Sequence, residues 1–266
     1  SVQAVAERRG AYSGNAKVHS LMYLRKYLMW MVAVFCVLPL SAINPQNSKM
    51  KELNVKKVSA ANIPVESVPA LLDKEKVDFQ PIKSVNWAEA FPYCPDVEFR
   101  IAHTDDAILL HYKVKEGSVA AVAGRDNGPV WEDACVEFFS IPAGDGVYYN
   151  IECNCTGTLL IGAGAGRGER RHAPQEVLDK VQRWSSLGRE AFEERVGECS
   201  WEVALVIPYS AFFLHDITSL DGKAVRANFY KCGDKLQTPH FLSWNPIGLE
   251  KPNFHCPEFF GMLNME

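Results

Sequence analysis

The run Val130-Trp131-Glu132-Asp133-Ala134-Cys135-Val136-Glu137-Phe138-Phe139 threads a tryptophan and three carboxylates through a core-forming stretch. In an extended strand successive side chains point to opposite faces. Trp131, Asp133, Cys135 and Glu137 then share one face, while Val136 and Phe138 take the other. An aromatic ring beside carboxylates is the chemistry that holds a sugar ring and its hydroxyls. A structural tryptophan flanked by surface acids gives the same pattern, because solvent-facing strand sides are routinely polar.

Other chemistries compete for the same residues. Glu132, Glu137 and Glu152 are enough acids for a glycoside hydrolase, which needs two carboxylates across a cleft, but abundance is not geometry. His240, His255, Met262 and Met265 are haem-ligand candidates for a redox module, without a C-x-x-C-H attachment motif. A structural zinc site is not expected, since no paired C-x-x-C is present and His255 and Cys256 are adjacent. The basic stretch 167–171 reads as a solvated loop.

The elements that must position these groups are mostly strands. Residues 97–103 and 107–114 flank Thr104-Asp105-Asp106, a hairpin signal. Further strands are expected over 134–141, 148–154, 158–162, 201–207, 225–231 and 258–263, and helices only over 175–184 and 209–214. Turn clusters such as Ala143-Gly144-Asp145-Gly146 separate them. The sum is an all-β chain, a β-sandwich of two antiparallel sheets of jelly-roll or immunoglobulin-like type with a few short helices.

With 47% hydrophobic residues the chain has material for a full core, and a net charge of -4 without basic clusters gives no argument for nucleic acid. Residues 1–21 carry no fold signal. From Met22 a charged stretch with Arg25 and Lys26, an apolar run over 27–40 and the small pair Ser41-Ala42 have the order of a secretory signal, 22–42, with cleavage after Ala42. The expectation is export to periplasm, cell surface or medium, with no membrane span after cleavage. Residues 43–80, punctuated by Pro45, Pro64 and Pro69, read as an N-terminal extension whose 55–63 adds an edge strand. The domain proper is 81–266. Of eight cysteines, removal of Cys36 leaves an odd seven, which read as small apolar core residues.

The order of motifs carries more than any one of them. After 130–139 come Tyr148-Tyr149-Asn150-Ile151-Glu152-Cys153-Asn154, Trp201-Glu202-Val203-Ala204, Arg226-Ala227-Asn228-Phe229-Tyr230, Phe241-Leu242-Ser243-Trp244-Asn245-Pro246 and Pro257-Glu258-Phe259-Phe260-Gly261. This series resembles the family 9 carbohydrate-binding modules, in particular exported family 9-like proteins of Bacteroidetes, over roughly residues 82–266. The resemblance implies a β-sandwich that binds saccharides of the xylan or cellulose type without cleaving them, often beside glycoside hydrolases. It also implies two aromatic rings gripping a terminal sugar, matched by Trp131 and Trp244, with Glu137, Asn154 and Asn228 as the polar groups around it. Family members are associated with calcium, for which Asp126 and Asp133 are the nearby oxygen donors; no other cofactor is implied.

Overall fold

The computed structural model describes residues 49–266; the upstream segment 1–21 and the signal sequence expected over 22–42 lie outside the described residues. Period-two runs bounded by turn residues form fourteen strands. They are β1 (Glu52–Lys57), β2 (Gln80–Pro81), β3 (Ser84–Val85), β4 (Asp96–His103), β5 (Ala107–Ala121), β6 (Cys135–Ile141) and β7 (Tyr148–Asn154). The series continues with β8 (Leu159–Gly164), β9 (Arg171–His172), β10 (Gln182–Ser185), β11 (Phe192–Pro208), β12 (Ala224–Cys232), β13 (Phe241–Ser243) and β14 (Gly261–Met265). The hairpin expected at Thr104 joins β4 to β5. The Thr104 hydroxyl accepts the Asp106 and Ala107 amides at 3.3 and 3.1 Å, which fixes the reversal within three residues.

The strands follow one path, β10-β11-β5-β4-β1-β14-β12-β6-β7-β8-β9, with β2, β3 and β13 attached at its sides. Most pairs are antiparallel, but β1 runs parallel to β14 over Glu52 to Val55 and parallel to β4 over Lys56 and Lys57. The result is a curled, mixed sheet, where the sequence reading expected two purely antiparallel ones. The strand expected at an edge over 55–63 instead lies at 52–57 with a partner on each side. The two halves of the path, on either side of β1 and β14, meet through their apolar faces. Phe99 of β4 stacks on Phe229 of β12 with ring centroids 3.6 Å apart, and the Tyr112 hydroxyl of β5 donates to the Glu137 carbonyl of β6 at 2.9 Å.

Helix is scarce and short. α1 (Val68–Lys74) lies within the proline-punctuated segment 43–80 for which no helix is expected; Pro69 in its first turn suits a helix start, where its missing N–H would have no partner. α2 (Gln175–Leu178) stops before β10, and residues 209–211 form a single 3-10 turn, so both expected helices are cut down. No helix among the described residues is long and apolar enough to cross a membrane.

Two apolar clusters sandwich the strands that carry the site. Val136, Phe138, Tyr149, Ile151, Cys153, Ile161 and Phe229 point into the main core. On the opposite face Cys135, Phe139, Tyr148, Leu160, Tyr230 and Cys232 pack with Val130, Trp87, Phe254 and Phe260 from the loops. The alternation read from sequence is therefore correct for β6 and β7, but the second face is covered rather than wet.

Candidate functional site

A gap in that second cover forms a cleft of about 350 Å³ over β6, β7, β8 and β12, at the lower end of small-molecule sites. Its floor holds two carboxylic acids, Glu137 of β6 and Glu152 of β7, which face each other in register. They are only 3% and 4% exposed. Glu137 Oε1 accepts from the Cys232 thiol at 3.1 Å, and Glu152 Oε1 accepts from the Asn150 amide at 2.8 Å. Glu152 Oε2 is buried with no hydrogen-bond partner. Burial pushes both acids up, Glu152 to about 7, and Glu137 well above the carboxylate range with Cys232 and Glu152 adding to the effect. The pair therefore retains a proton at neutral pH, and offers both a donor and an acceptor.

Trp131 stands at the rim, 37% exposed. It is not on a strand: residues 130–132 make a 3-10 turn, and β6 starts only at Cys135. The turn is pinned from two sides. Asp234 N–H and Lys235 N–H donate to the Trp131 and Glu132 carbonyls, each at 3.1 Å. Asp133 then turns inward, its carboxylate accepting Val122 and Ala123 N–H at 2.9 and 3.0 Å and the Asn154 amide at 3.0 Å.

One wall is built by Arg170, contrary to the expectation that 167–171 is merely solvated. Its guanidinium lies 3.9 Å from the Tyr148 ring centroid and donates to Asn150 Oδ1 and the Tyr148 carbonyl, each at 3.0 Å. Gly162 permits this approach, since a Cβ there would lie 2.5 Å from Asn150 Oδ1. His255 bonds the Tyr148 hydroxyl at 2.9 Å; burial, then Arg170 and Arg167, hold its pKa down to about 4, so it is neutral. Phe241 and Phe254 supply an apolar wall, with Phe254 stacked on Tyr230 at 4.2 Å. Asp234 sits on the rim, its acid raised to about 6 by the enclosing walls and Glu132.

Of the five residues expected to bind sugar, Trp131 and Glu137 line this cleft and three lie elsewhere. Trp244 is 2% exposed in the main core, edge-on to Phe99 and Phe229 at 6.0 and 5.7 Å. Asn228 bonds both backbone groups of Asn245, and Asn154 Oδ1 accepts Thr156 and Thr158 N–H. These are loop anchors. The aspartates considered for calcium are committed likewise: Asp126 Oδ1 accepts Leu159 N–H and pairs with Arg183 at 2.7 Å, and Asp133 is the hub described above. Cations and N–H groups already occupy these oxygens, so the two side chains do not fit the oxygen cage of calcium. His240, weighed as a haem ligand, is bonded to Lys231 at 2.7 Å. All seven cysteines of the described residues are free thiols and most are buried. Arg170, Phe241, Phe254, Asp234 and His255 went unread as cleft residues; loops bring them from distant sequence, and only the glycines of 162–168 hinted at a close approach.

A sequence model of carbohydrate-binding family 9 matches residues 66–265. Among solved structures, a Bacteroides uniformis ATCC 8492 protein whose proposed role is carbohydrate binding is 64% identical, with a TM-score of 0.80, over 82% of this chain and 100% of its own. A family 9 module from Caldicellulosiruptor kristjanssonii in complex with glucose shares the fold at 12% identity and a TM-score of 0.52, over 81% of this chain and 96% of its own. The same organism's family 9 module with cellotriose gives a TM-score of 0.53 at 12% identity, over 81% and 94%. No curated protein matches the chain. The chain belongs to carbohydrate-binding family 9.

Proposed function

We propose that the cleft under Trp131 holds a terminal sugar residue of a plant-polysaccharide fragment, of the cellulose or xylan type. The observation that carries this reading is Glu152 Oε2, a buried acceptor with no partner, at the floor of a cleft with a half-exposed indole at its rim. An orphaned buried acceptor is costly unless a ligand supplies a donor, and a sugar hydroxyl does so while the ring's C–H face lies on Trp131. Glucose and cellotriose bound in two solved family 9 structures support the ligand class. The two acids do not suit bond cleavage. They rise side by side from adjacent strands on one face, whereas hydrolysis needs carboxyls flanking the scissile bond. The chain then works as an exported binder in support of polysaccharide degradation, with hydrolases as its working neighbours.

Calorimetric titration with gluco- and xylo-oligosaccharides tests this. Trp131→Ala should lose about 1–3 kcal/mol of binding with the melt unchanged, as expected for one stacking ring on an exposed turn. Absence of heat from every glycan, alongside a cooperative melt of the wild type, would reject the reading.

A further inference from the structure

We propose that Cys135, Glu137 and Cys232 form a binding site for a thiophilic divalent cation of the zinc–cadmium class at the floor of the cleft. Cys135 and Glu137 are two apart on β6 and so share a face, and Cys232 of β12 stands directly opposite Cys135. One ligand atom from each lies within 4.8 Å of the other two. A zinc–sulfur bond of about 2.3 Å sets a tetrahedral edge near 3.8 Å, so rotamer adjustments of about 1 Å close the triangle. Among the described residues this is the one grouping of three or more side chains able to ligate a metal.

The hydrogen bonding already present points the same way. The Cys232 thiol proton lies between its sulfur and Glu137 Oε1, 3.1 Å apart, where a cation shared by both ligands would sit. Apolar Val130, Phe139 and Tyr230 belong to the surrounding cluster, while Glu137 and Cys232 open onto the cleft. That leaves a fourth position for water or a ligand oxygen, as in an open zinc site. Two sulfurs and one carboxylate select soft and borderline cations over calcium and magnesium. Loading is balanced by proton release: the cation replaces the two thiol protons and the Glu137 carboxyl proton, which pass to solvent. Affinity therefore falls as pH falls. This site goes beyond sugar binding, although it shares Glu137 with it. Spacing rules miss it because its three ligands come from two strands rather than one motif.

The test is a cadmium titration of the reduced full chain, read by the ultraviolet thiolate-to-cadmium charge-transfer band, which needs no sugar. One cadmium per chain is expected, displaced by zinc and not by calcium. Cys135→Ala and Cys232→Ala should each weaken it more than about tenfold, and Cys94→Ala, at an exposed thiol, should not. Because buried cysteine variants can misfold, zinc protection from alkylation is mapped by mass spectrometry on the wild type, where Cys135 and Cys232 should be shielded. A missing band, a band that survives in folded Cys135→Ala, or a peptide linking Cys135 to Cys232 that yields no metal site on reduction would overturn the proposal. Oligosaccharide heats measured on metal-free protein keep this outcome separate from that of the sugar reading.

Discussion

Glu152 shows how one buried residue ties ligand chemistry to stability. Burial holds its folded-state pKa at about 7 against an ordinary 4.5, although the Asn150 hydrogen bond and Arg170 favour the anion. Between those values the folded chain keeps a proton that the unfolded chain has released. Stability therefore falls as pH rises through that window, and levels off above it. Urea unfolding across the window should show this decline, and Glu152→Gln should remove on the order of 2–3 kcal/mol of it, the linkage expected of one such acid. An unchanged slope in the variant would assign the retained proton to Glu137 alone. The variant should also bind sugar more weakly, because with its oxygen held by Asn150 the amide presents N–H donors where the free carboxyl oxygen accepts.

At the scale of elements, the 3-10 turn at 130–132 decides where Trp131 points, and Asp133 decides the turn. Its carboxylate holds two backbone amides of the segment after β5, those of exposed Val122 and buried Ala123, and the buried Asn154 side chain. Asp133→Ala leaves these donors unpaired and should cost about 2–4 kcal/mol of stability. It should also weaken sugar binding, while Trp131 itself is untouched; thermal melts and calorimetry on one sample measure both. Binding at full strength would show that the contacts from Asp234 and Lys235 suffice to hold the turn. The same region marks how far sequence reaches. Strand faces were legible wherever period two ran uninterrupted, so Glu137, Asn150 and Glu152 were sorted to the right side. The alternation stopped short of Trp131 because a turn precedes Cys135, and the role that the resemblance implied for Trp244 failed because an indole that plugs a core and one that stacks on a ligand look alike in sequence. Asn228 and Asn154 were misread for a related reason: an amide facing a loop backbone and an amide facing a hydroxyl use the same donors and acceptors.

For the whole molecule, the segment before residue 81 reads in sequence as an extension, but its strand closes the sheet. β1 fills the gap between β14 and β4, and the Met262 and Glu266 amides donate to the Lys51 and Val55 carbonyls. Val55, Val58, Val68 and Leu72 are fully or almost fully buried. At about 1.5–3 kcal/mol each, their loss would remove roughly 6–12 kcal/mol, comparable to the whole stability of a typical domain. Arg100, 3% exposed, is held by Asp73 at 2.6 Å, by the Pro69 carbonyl at 2.8 Å and by the Phe79 ring, so the deletion strips a guanidinium of its carboxylate, a further acceptor and part of its cover together. A chain starting at Ile82 exposes the edges of β4 and β14, each ready to pair with another copy. It should therefore melt without cooperativity and run as aggregates on size exclusion, whereas one starting at Lys49 should melt in a single transition and stay soluble. Equal melting of the two would make residues 49–81 an appendage after all. The cleft lies on β6, β7, β8 and β12, which β1 does not touch, so any residual sugar binding by the shorter chain would measure how far the site folds independently of the strand that closes the sheet.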